Sequence, residues 1–237
     1  MAQSTPDISV VVPVFDEEGA APELAREIAA AFAGRDFEIV FVDDRSRDNT
    51  RAALTALKAQ IPQLRVLSHA KNSGQSRSIR TGVLAARGDV IVTLDGDGQN
   101  DPADGPGLVD ALTAGPPGLV LVGGERVKRQ DSAAKKFASK FGNGVRKRLL
   151  KDTANDTGCG LKAFRREAFL RLPYFDHIHR FMPAMMLREG WQVVCVPVTH
   201  RERRAGRSKY SNLGRALVGV VDLMGVAWLI RRSPYGR

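Results

Sequence analysis

The stretch ISVVVPVFDEEGAAPELAREIAAAFAGRDFEIVFVDD, residues 8–44, decides the fold. Its β-branched run over 8–14 predicts a buried strand. The Ala-, Leu- and Glu-rich segment over 19–34 ends in a glycine and predicts a helix. The run over 37–44 predicts a second strand, which ends in two carboxylates. Strands that alternate with helices of this length are typical of a parallel sheet with crossover helices, and therefore of an α/β fold.

The same alternation continues along the chain, although the pattern changes after residue 124. Beyond that point, the segment 133–151 spaces its apolar residues four apart among lysines and arginines, which predicts a basic amphipathic helix. The remaining predicted helices span 46–60, 74–87 and 180–190, and the remaining predicted strands span 64–69, 89–95, 119–124 and 191–198.

Acidic side chains follow three of the predicted strands. They are Asp16 and Glu17, Asp43 and Asp44, and Asp95 with Asp97. Ligands of open α/β sheets bind outside the carboxyl ends of the strands, so these carboxylates are candidates for a binding site. A glycine-rich dinucleotide fingerprint does not follow the first strand, and a P-loop motif is absent from the sequence, so neither nucleotide-binding class is favoured.

The sequence Asp95-Gly96-Asp97 suggests a cation site. Residues two apart at a strand end project in the same direction, so both carboxylates are expected to approach one cation. Gly96 would let the backbone come close to a ligand, and Gln99 adds a neutral oxygen. This oxygen-only set suits Mg²⁺ or Mn²⁺ that shares its ligands with a diphosphate.

The net charge of +10 conceals a division along the chain. Residues 1–125 hold 11 Lys and Arg against 18 Asp and Glu, whereas residues 126–237 hold 25 against 8. The basic half is expected to face an anion: a phosphate, a nucleic acid or an anionic membrane.

The cysteines and the two terminal segments indicate the cellular compartment and how the protein meets a membrane. Cys159 and Cys195 match no metal or redox spacing, so we expect reduced thiols in the cytoplasm. The first seven residues, MAQSTPD, lack the pattern of a signal peptide. The mostly apolar stretch 216–230 is interrupted by Asp222 and is shorter than the roughly 20 residues that span a membrane. We expect a helix that lies at an anionic interface.

Four segments in this order resemble glycosyltransferase family 2: ISVVVPVFDEE, VDDRSRDNT, NSGQSRSIRTGVLAARGD and TLDGDGQNDP. Four later segments resemble its dolichol-phosphate mannose synthase branch, which includes bacterial enzymes that load sugars onto undecaprenyl or related polyprenyl phosphates. These are GGERV, NDTGCGLKAFRR, HRFMPAMMLREGW and HRERRAGRSKY. The resemblance covers residues 7–232 and implies the Rossmann-like GT-A fold, a mostly parallel sheet with flanking helices.

The resemblance also implies a domain division and a donor site. It predicts a catalytic domain over 1–210, with a nucleotide-sugar half over 7–125 and an acceptor half over 126–210, followed by a membrane-associating helix over 211–237. The nucleotide pocket would be lined by Pro13, Phe15 and Glu17, and the base would be held by Asp43 or Asp44. The diphosphate with its Mg²⁺ or Mn²⁺ would be held by Asp95, Asp97 and Gln99, and Gly96 would also belong to the nucleotide-sugar site.

For the acceptor, the resemblance implies a phosphate site in the basic half. An ionised phosphate attacks the sugar without a general base, so positioning and charge neutralisation are the main requirements. Asp156 matches the family's aspartate near the reacting sugar, and with Asp97, Arg126 and Arg203 it completes the expected catalytic set. His179 and His200 are expected to be structural. The phosphate ligands would be Arg126, Lys135, Ser139, Arg203, Ser208 and Lys209, although the family often has arginine where Lys135 stands.

The implied activity is an inverting transfer from a nucleoside-diphosphate sugar to a polyprenyl phosphate. We expect the protein to sit peripherally on the cytoplasmic face of the inner membrane and to serve cell-envelope glycan or lipopolysaccharide modification. Mannose from GDP, or glucose, galacturonic acid or an aminoarabinose derivative from UDP, all fit. A sugar-hydroxyl acceptor is the alternative and would require a base such as Asp156. A nucleic-acid partner is not expected, and a membrane-protein partner or self-association stays open.

Overall fold

The computed structural model describes residues 5–126, 144, 146, 148–150, 152, 156–202 and 212–232. The strands within these ranges are β1 (Ile8–Val14), β2 (Phe37–Asp43), β3 (Leu64–Ser68), β4 (Val90–Thr93), β5 (Leu119–Arg126), β6 (Lys162–Arg165) and β7 (Gln192–Val198). They form one sheet in the order β3-β2-β1-β4-β6-β5-β7. Strand β6 is antiparallel to both of its neighbours, and the other adjacent pairs are parallel. The predicted α/β class is confirmed.

Helices cover both faces of this sheet. The helices of the described residues are α1 (Ala21–Ala31), α2 (Thr50–Leu57), α3 (Gln75–Ala85), α4 (Gly105–Thr113), α5 (Arg166–Arg171), α6 (Ile178–Arg188) and α7 (Asn212–Arg231), with a short 3₁₀ helix at Pro102–Asp104.

The core consists of two apolar layers because successive side chains of a strand point to opposite faces of the sheet. Val10 and Val12 of β1 pack in the layer that contains Leu24 of α1. Val11, between them, packs in the other layer, together with Val83 of α3. A central strand that is covered on both faces needs apolar residues on both, which explains the apolar run of β1 from Val10 to Val14.

A crevice forms where the connections from neighbouring strands diverge. Strand β1 lies between β2 and β4, and the chain passes to β2 and β3 before it returns to the other side of β1. The turn after β4 packs closely on the end of β1 there. A Cβ atom at Gly96 would lie 2.6 Å from Val14 Cγ1 and 2.7 Å from the Pro13 carbonyl oxygen. Glycine is therefore required at this position so that the turn can pack against the end of β1.

One detail of the predicted cation site was wrong. Strand β4 ends at Thr93, so Asp95 and Asp97 lie in the following turn and strand alternation does not aim them together. The turn is stabilised by local hydrogen bonds instead. The Asp95 amide donates to Asn100 Oδ1 over 3.1 Å, and the Gln99 amide donates to Asp97 Oδ1 over 3.1 Å.

The other predicted elements differ from the structure mainly at their ends. Three elements were not predicted: α4, β6 and α5. Most of the predicted helix over 133–151 lies outside the described residues, and residues 148–150 within it are helical. The predicted C-terminal helix is present as α7 and has 20 residues.

Candidate active site

A cleft of about 1040 Å³ lies outside the carboxyl ends of β1 and β4. The predicted nucleotide residues Pro13, Phe15 and Glu17 line it, and so does Asp44. The chain after β1 is anchored to the start of α2, because the Glu17 amide donates to Thr50 Oγ1 over 2.8 Å. The cleft therefore joins the acidic strand ends that the sequence analysis singled out.

Asp44 forms the wall of the cleft beside the start of α3. Its carboxylate accepts hydrogen bonds from the Ser73 amide (2.8 Å) and the Gly74 amide (2.7 Å), and it lies 2.7 Å from His69 Nδ1. A carboxylate offers about four lone-pair positions, so roughly one remains for a ligand N–H. Asp43 instead accepts from the Ser46 amide over 3.1 Å and is not among the residues that line the cleft.

The opposite wall carries the predicted cation ligands. Asp95, Gly96, Asp97 and Gln99 all line the cleft. Desolvation raises the pKa of Asp95, and the nearby charge of Asp97 raises it further. Two carboxylates that repel each other at the edge of a cleft have the character of a cation site.

The donor set fits a divalent cation that completes its shell with phosphate oxygens and water. Among the described residues, no cluster of three or more His, Cys, Asp or Glu side chains could hold a metal alone. One or two carboxylates plus substrate phosphates are the usual ligands of Mg²⁺. Asp95 and Asp97, with the amide oxygen of Gln99, would be the protein's contribution.

Two residues that the sequence analysis did not assign support Asp95. The Gln75 side-chain amide donates to Asp95 Oδ1 over 2.7 Å. A Cβ atom at Gly160 would lie 2.3 Å from Asp95 Oδ2, so the carboxylate occupies the space that any side chain at Gly160 would fill. Both residues fall inside the quoted motifs NSGQSR and NDTGCGLKAF, but nothing local shows that they meet Asp95.

Lys162 is a buried basic residue at the cleft. Its side chain is 5% exposed, and Nζ donates to the Cys159 carbonyl oxygen. Desolvation lowers the pKa of Lys162, although the charges of Cys159, Asp95 and Asp156 oppose this effect. Sequence reasoning missed it because Lys162 stands on the unpredicted strand β6.

Arg126 and Asp156 are paired with each other. Arg126 Nε lies 2.6 Å from Asp156 Oδ2, and Nη2 lies 2.7 Å from Oδ1. The hydrogen bond to Asp156 is the largest influence on Arg126 and raises its pKa. Arg126 lines the cleft, while Nη1 has no hydrogen-bond partner among the described residues. The two predicted catalytic residues thus form one unit at the cleft.

The remaining predicted acceptor residues lie outside the described residues: Lys135, Ser139, Arg203, Ser208 and Lys209. The chain just before Arg203 is described, and it is attached to the cation turn. The Arg201 amide donates to the Gln99 carbonyl oxygen over 2.9 Å. The Arg201 guanidinium forms ion pairs with Asp101 at 2.6 Å and with Glu27 at 2.8 Å.

Comparisons with known proteins agree with this geometry. A model of the family "Glycosyl transferase family 2" matches residues 9–172. An undecaprenyl-phosphate 4-deoxy-4-formamido-L-arabinose transferase of Klebsiella pneumoniae (strain 342) is 37% identical over 207 residues, 86% of this chain and 62% of the relative. The transferase of that name from Shewanella sediminis is 37% identical over 235 residues, 97% of this chain and 70% of the relative. The chain thus spans somewhat less than two thirds of the Klebsiella relative.

Solved structures of low sequence identity share the fold. The glucosyl-3-phosphoglycerate synthase of Mycobacterium tuberculosis, in complex with Mn²⁺, UDP and glucosyl-3-phosphoglycerate, has a TM-score of 0.71 at 21% identity, covering 95% of this chain and 81% of that one. A mannosyltransferase of Pyrobaculum calidifontis, in complex with GDP-Man and Mn²⁺, has a TM-score of 0.69 at 19% identity, covering 95% and 65%. The predicted GT-A fold is confirmed, and the chain belongs to glycosyl transferase family 2.

Proposed function

We propose that this protein transfers a sugar from a nucleoside-diphosphate sugar to a polyprenyl phosphate. The observation that carries the proposal is the cleft of about 1040 Å³ with Asp44 on one wall and the Asp95–Asp97 turn on the other. The names of the bacterial relatives, which are undecaprenyl-phosphate sugar transferases, support the acceptor class.

In the donor complex, Asp44 would accept an N–H of the base, and the Phe15 side chain would line the nucleotide pocket. Asp95 and Asp97 would hold Mg²⁺ or Mn²⁺ together with the donor diphosphate. When bound, such a cation neutralises the charge that develops on the leaving nucleoside diphosphate. Gln75 and Gly160 hold the Asp95 carboxylate in place through the hydrogen bond and the close contact described above.

The chemical step would be a direct displacement. An oxygen of the acceptor phosphate forms a bond to the anomeric carbon while the bond from that carbon to the diphosphate oxygen breaks. The leaving nucleoside diphosphate keeps the electron pair, and the anomeric configuration inverts.

Arg126 would bind the acceptor phosphate through Nη1 while Asp156 holds its Nε and Nη2. Because both Asp156 oxygens contact Arg126, this arrangement favours an acceptor that needs no general base. It thereby supports the phosphate over a sugar hydroxyl, for which Asp156 would have to accept a proton.

For the donor we propose a UDP-activated 4-deoxy-4-formamido-L-arabinose. The support is the name shared by the bacterial relatives, which are 37% identical to this chain in the case of both the Klebsiella and the Shewanella proteins. Transfer of such a sugar to a polyprenyl phosphate would serve modification of the cell envelope.

Helix α7 would hold the protein at the cytoplasmic face of the membrane. One side of α7 packs on the protein, with Val226 1% exposed. The other side leaves Val221, Met224 and Trp228 between 58% and 64% exposed. Large apolar side chains next to the cations Arg231 and Arg232 suit the boundary of an anionic bilayer.

A separate observation concerns membrane crossing. Among the helices of the described residues, none combines the length and the apolar character that a membrane span requires.

A donor screen tests the proposal. Purified protein would be incubated with Mn²⁺, a short-chain polyprenyl phosphate and a panel of donors: GDP-mannose, UDP-glucose, UDP-galacturonic acid and UDP-4-deoxy-4-formamido-L-arabinose. The product would be followed by the mass of the sugar phospholipid. We expect product from the formamido-arabinose donor, abolished by EDTA.

Each other outcome of the screen changes a different part of the proposal. Product from another donor corrects the sugar but keeps the reaction class. Metal-dependent nucleotide binding without product from any donor contradicts the polyprenyl phosphate acceptor.

A further inference from the structure

His179, near the start of α6, lines the cleft but has no part in the chemistry described so far. Its ring nitrogen Nδ1 lies 2.6 Å from the hydroxyl oxygen of Ser76, whose side chain is 1% exposed. Ser76 belongs to the first turn of α3, so this contact connects α3 to α6.

The first residues of α3 place His179 relative to the rest of the site. The Gly74 amide binds Asp44 at 2.7 Å, the Gln75 side chain binds Asp95 at 2.7 Å, and Ser76 contacts His179. Three consecutive residues thus touch the base side of the cleft, the cation side and the histidine. His179 and the cation turn thus both contact the first turn of α3, and both line the same cleft.

The contact with Ser76 determines which ring nitrogen carries the proton. The Ser76 hydroxyl has no other hydrogen-bond partner among the described residues, and a buried hydroxyl hydrogen without an acceptor is costly. The hydroxyl therefore donates to Nδ1, which leaves the proton of the neutral ring on Nε2.

His179 is neutral at physiological pH. Desolvation is the main cause that lowers its pKa to about 3, and the nearby Lys162 and Arg180 act in the same direction. A neutral ring whose Nδ1 accepts from Ser76 is a hydrogen-bond donor at Nε2 only.

The donor at Nε2 has no acceptor within the described part of the chain, where Ser76 is the hydrogen-bond partner of the ring. Lys162 is a second donor, since its Nζ carries further hydrogens besides the one that the Cys159 carbonyl engages. Two groups of N–H donors at one cleft suit an oxygen acceptor on the ligand, such as a carbonyl, carboxylate or hydroxyl oxygen.

We propose that His179 recognises the donor sugar by donating a hydrogen bond from Nε2 to one of its oxygen atoms, and that Ser76 is a positioning residue that fixes the ring tautomer. The inference rests on the proposed function, because it takes the ligand of the cleft to be a nucleotide sugar. His179 would then contribute to the choice of sugar, whereas Asp44 and Asp95 would hold the nucleotide and its diphosphate.

The test compares two ligands on the full chain by calorimetry with Mn²⁺: UDP and UDP-4-deoxy-4-formamido-L-arabinose. His179→Phe should weaken the nucleotide sugar about tenfold, in proportion to one lost hydrogen bond, and leave UDP affinity unchanged. His179→Gln should restore most of the sugar affinity, because its amide also presents an N–H. Ser76→Ala should weaken the nucleotide sugar about threefold, again without an effect on UDP.

Thr55→Ala is the matched control, since the Thr55 hydroxyl donates to the Arg51 carbonyl on the exposed side of α2 and Thr55 does not line the cleft. The inference would be overturned if His179→Phe lost equal affinity for UDP and for the nucleotide sugar, or if its affinity for both were unchanged. If wild-type protein binds neither UDP nor the nucleotide sugar, the proposed function itself fails before any variant is compared.

Discussion

At the scale of single residues, the cation turn depends on the exact space around one carboxylate. Asp95 accepts a hydrogen bond from Gln75 and packs closely against Gly160. The nearby charge of Asp97 raises the pKa of Asp95, and that of Lys162 opposes the rise. These neighbours come from α3, the turn itself and the start of β6. A substitution in any of them should change cation and diphosphate binding before it changes the fold.

The carboxylates themselves give the most direct prediction at this scale. Asp95→Asn and Asp97→Asn should each lower turnover by about 100-fold or more, because a neutral amide stabilises the leaving diphosphate with its cation poorly. The measurement is kcat with Mn²⁺, together with Mn²⁺-dependent UDP binding. Asp110→Asn, which affects a surface pair with Arg35 at 2.8 Å, is the control and should keep full activity. Wild-type kcat and Mn²⁺-dependent UDP binding in Asp95→Asn would contradict the assignment of Asp95 as a cation ligand.

Gly160→Ala tests the close packing under Asp95. The added Cβ would stand 2.3 Å from Asp95 Oδ2, so the carboxylate must move. We expect Mn²⁺-dependent UDP affinity to fall about tenfold. Gly107→Ala on α4 is the matched control, since its Cβ meets nothing within 4 Å. That control should keep UDP affinity and gain up to about 1 kcal/mol of stability from the better helix former. Unchanged affinity in Gly160→Ala would show that Asp95 has freedom to shift.

The sequence allowed prediction of the site where its residues are neighbours in the chain. Asp95, Asp97 and Gln99 lie within five positions, and the turn brings them to the cleft together. Lys162 and His179 could not be placed in this way. They reach the cleft through β6 and α6, and their partners are distant: Ser76 and His179 are 103 positions apart. The contact between Arg126 and Asp156, which are 30 positions apart, likewise could not be predicted from the sequence.

At the scale of secondary-structure elements, the first strands are also joined at the end of the sheet away from the cleft. Glu38 of β2 is 1% exposed and accepts hydrogen bonds from Ser9 of β1 at 2.8 Å and from Arg65 of β3 at 2.6 Å. Its carboxylate also binds the amide and the guanidinium of Arg87, at 2.6 Å and 3.0 Å. One buried carboxylate thereby connects three adjacent strands to the end of α3.

Desolvation alone would raise the pKa of Glu38, but the hydrogen bonds from Arg65, Arg87 and Ser9 outweigh it and lower the pKa. A lowered folded-state pKa contributes stability above the unfolded value, near pH 4.5, and that contribution is lost as the pH falls through the folded pKa. Glu38→Gln should cost about 1–3 kcal/mol at pH 7, because it loses hydrogen bonds to a charged carboxylate, and it should flatten the loss of stability in acid.

Urea denaturation of the Glu38→Gln variant from pH 3 to pH 7 measures this effect. UDP affinity should not change, because Glu38 lies at the opposite end of its strand from the cleft. A stability curve parallel to that of wild type down to pH 3 would contradict the account.

Elements were predictable where their patterns are long. The buried runs of β1 and β2 alternate regularly with the helices that follow them, and Gly19 and Gly34 lie in the connections on either side of α1. Strand β6 has four residues and is antiparallel to its neighbours, so it carries neither the length nor the regular alternation of the first strands. Strand β6 forms because the backbone of β4 pairs with it along Val90, Ile91, Val92 and Thr93. This pairing exists only in the assembled sheet.

At the scale of the whole molecule, the two chain halves have opposite charge and different proposed partners. In the proposed function, the acidic first half would provide Asp44, Asp95 and Asp97 to the donor, and the basic second half would provide Arg126 to the acceptor. Helix α7 connects the cleft to the proposed membrane surface: Val218 lines the cleft, while Asp222 contacts His177 Nδ1 at 2.8 Å.

The exposed face of α7 gives a prediction at this scale. Val221→Asp combined with Met224→Asp should reduce binding to anionic phospholipid vesicles by tenfold or more, because about 1.5 kcal/mol or more of apolar transfer is lost at each position. Sedimentation with vesicles measures the bound fraction. Leu84→Asp, at an exposed position (55%) near the end of α3, is the matched control and should leave vesicle binding unchanged. Equal effects of the α7 and α3 variants would contradict a membrane face on α7.

The stereochemistry of the product tests the central claim most directly. Protein, Mn²⁺, UDP-4-deoxy-4-formamido-L-arabinose and a short-chain polyprenyl phosphate would be incubated, and the sugar phospholipid analysed by NMR at its anomeric centre. Direct displacement by the acceptor phosphate predicts one product whose anomeric configuration is opposite to that of the donor. A product of retained configuration, or release of free sugar without a sugar phospholipid, would contradict the account.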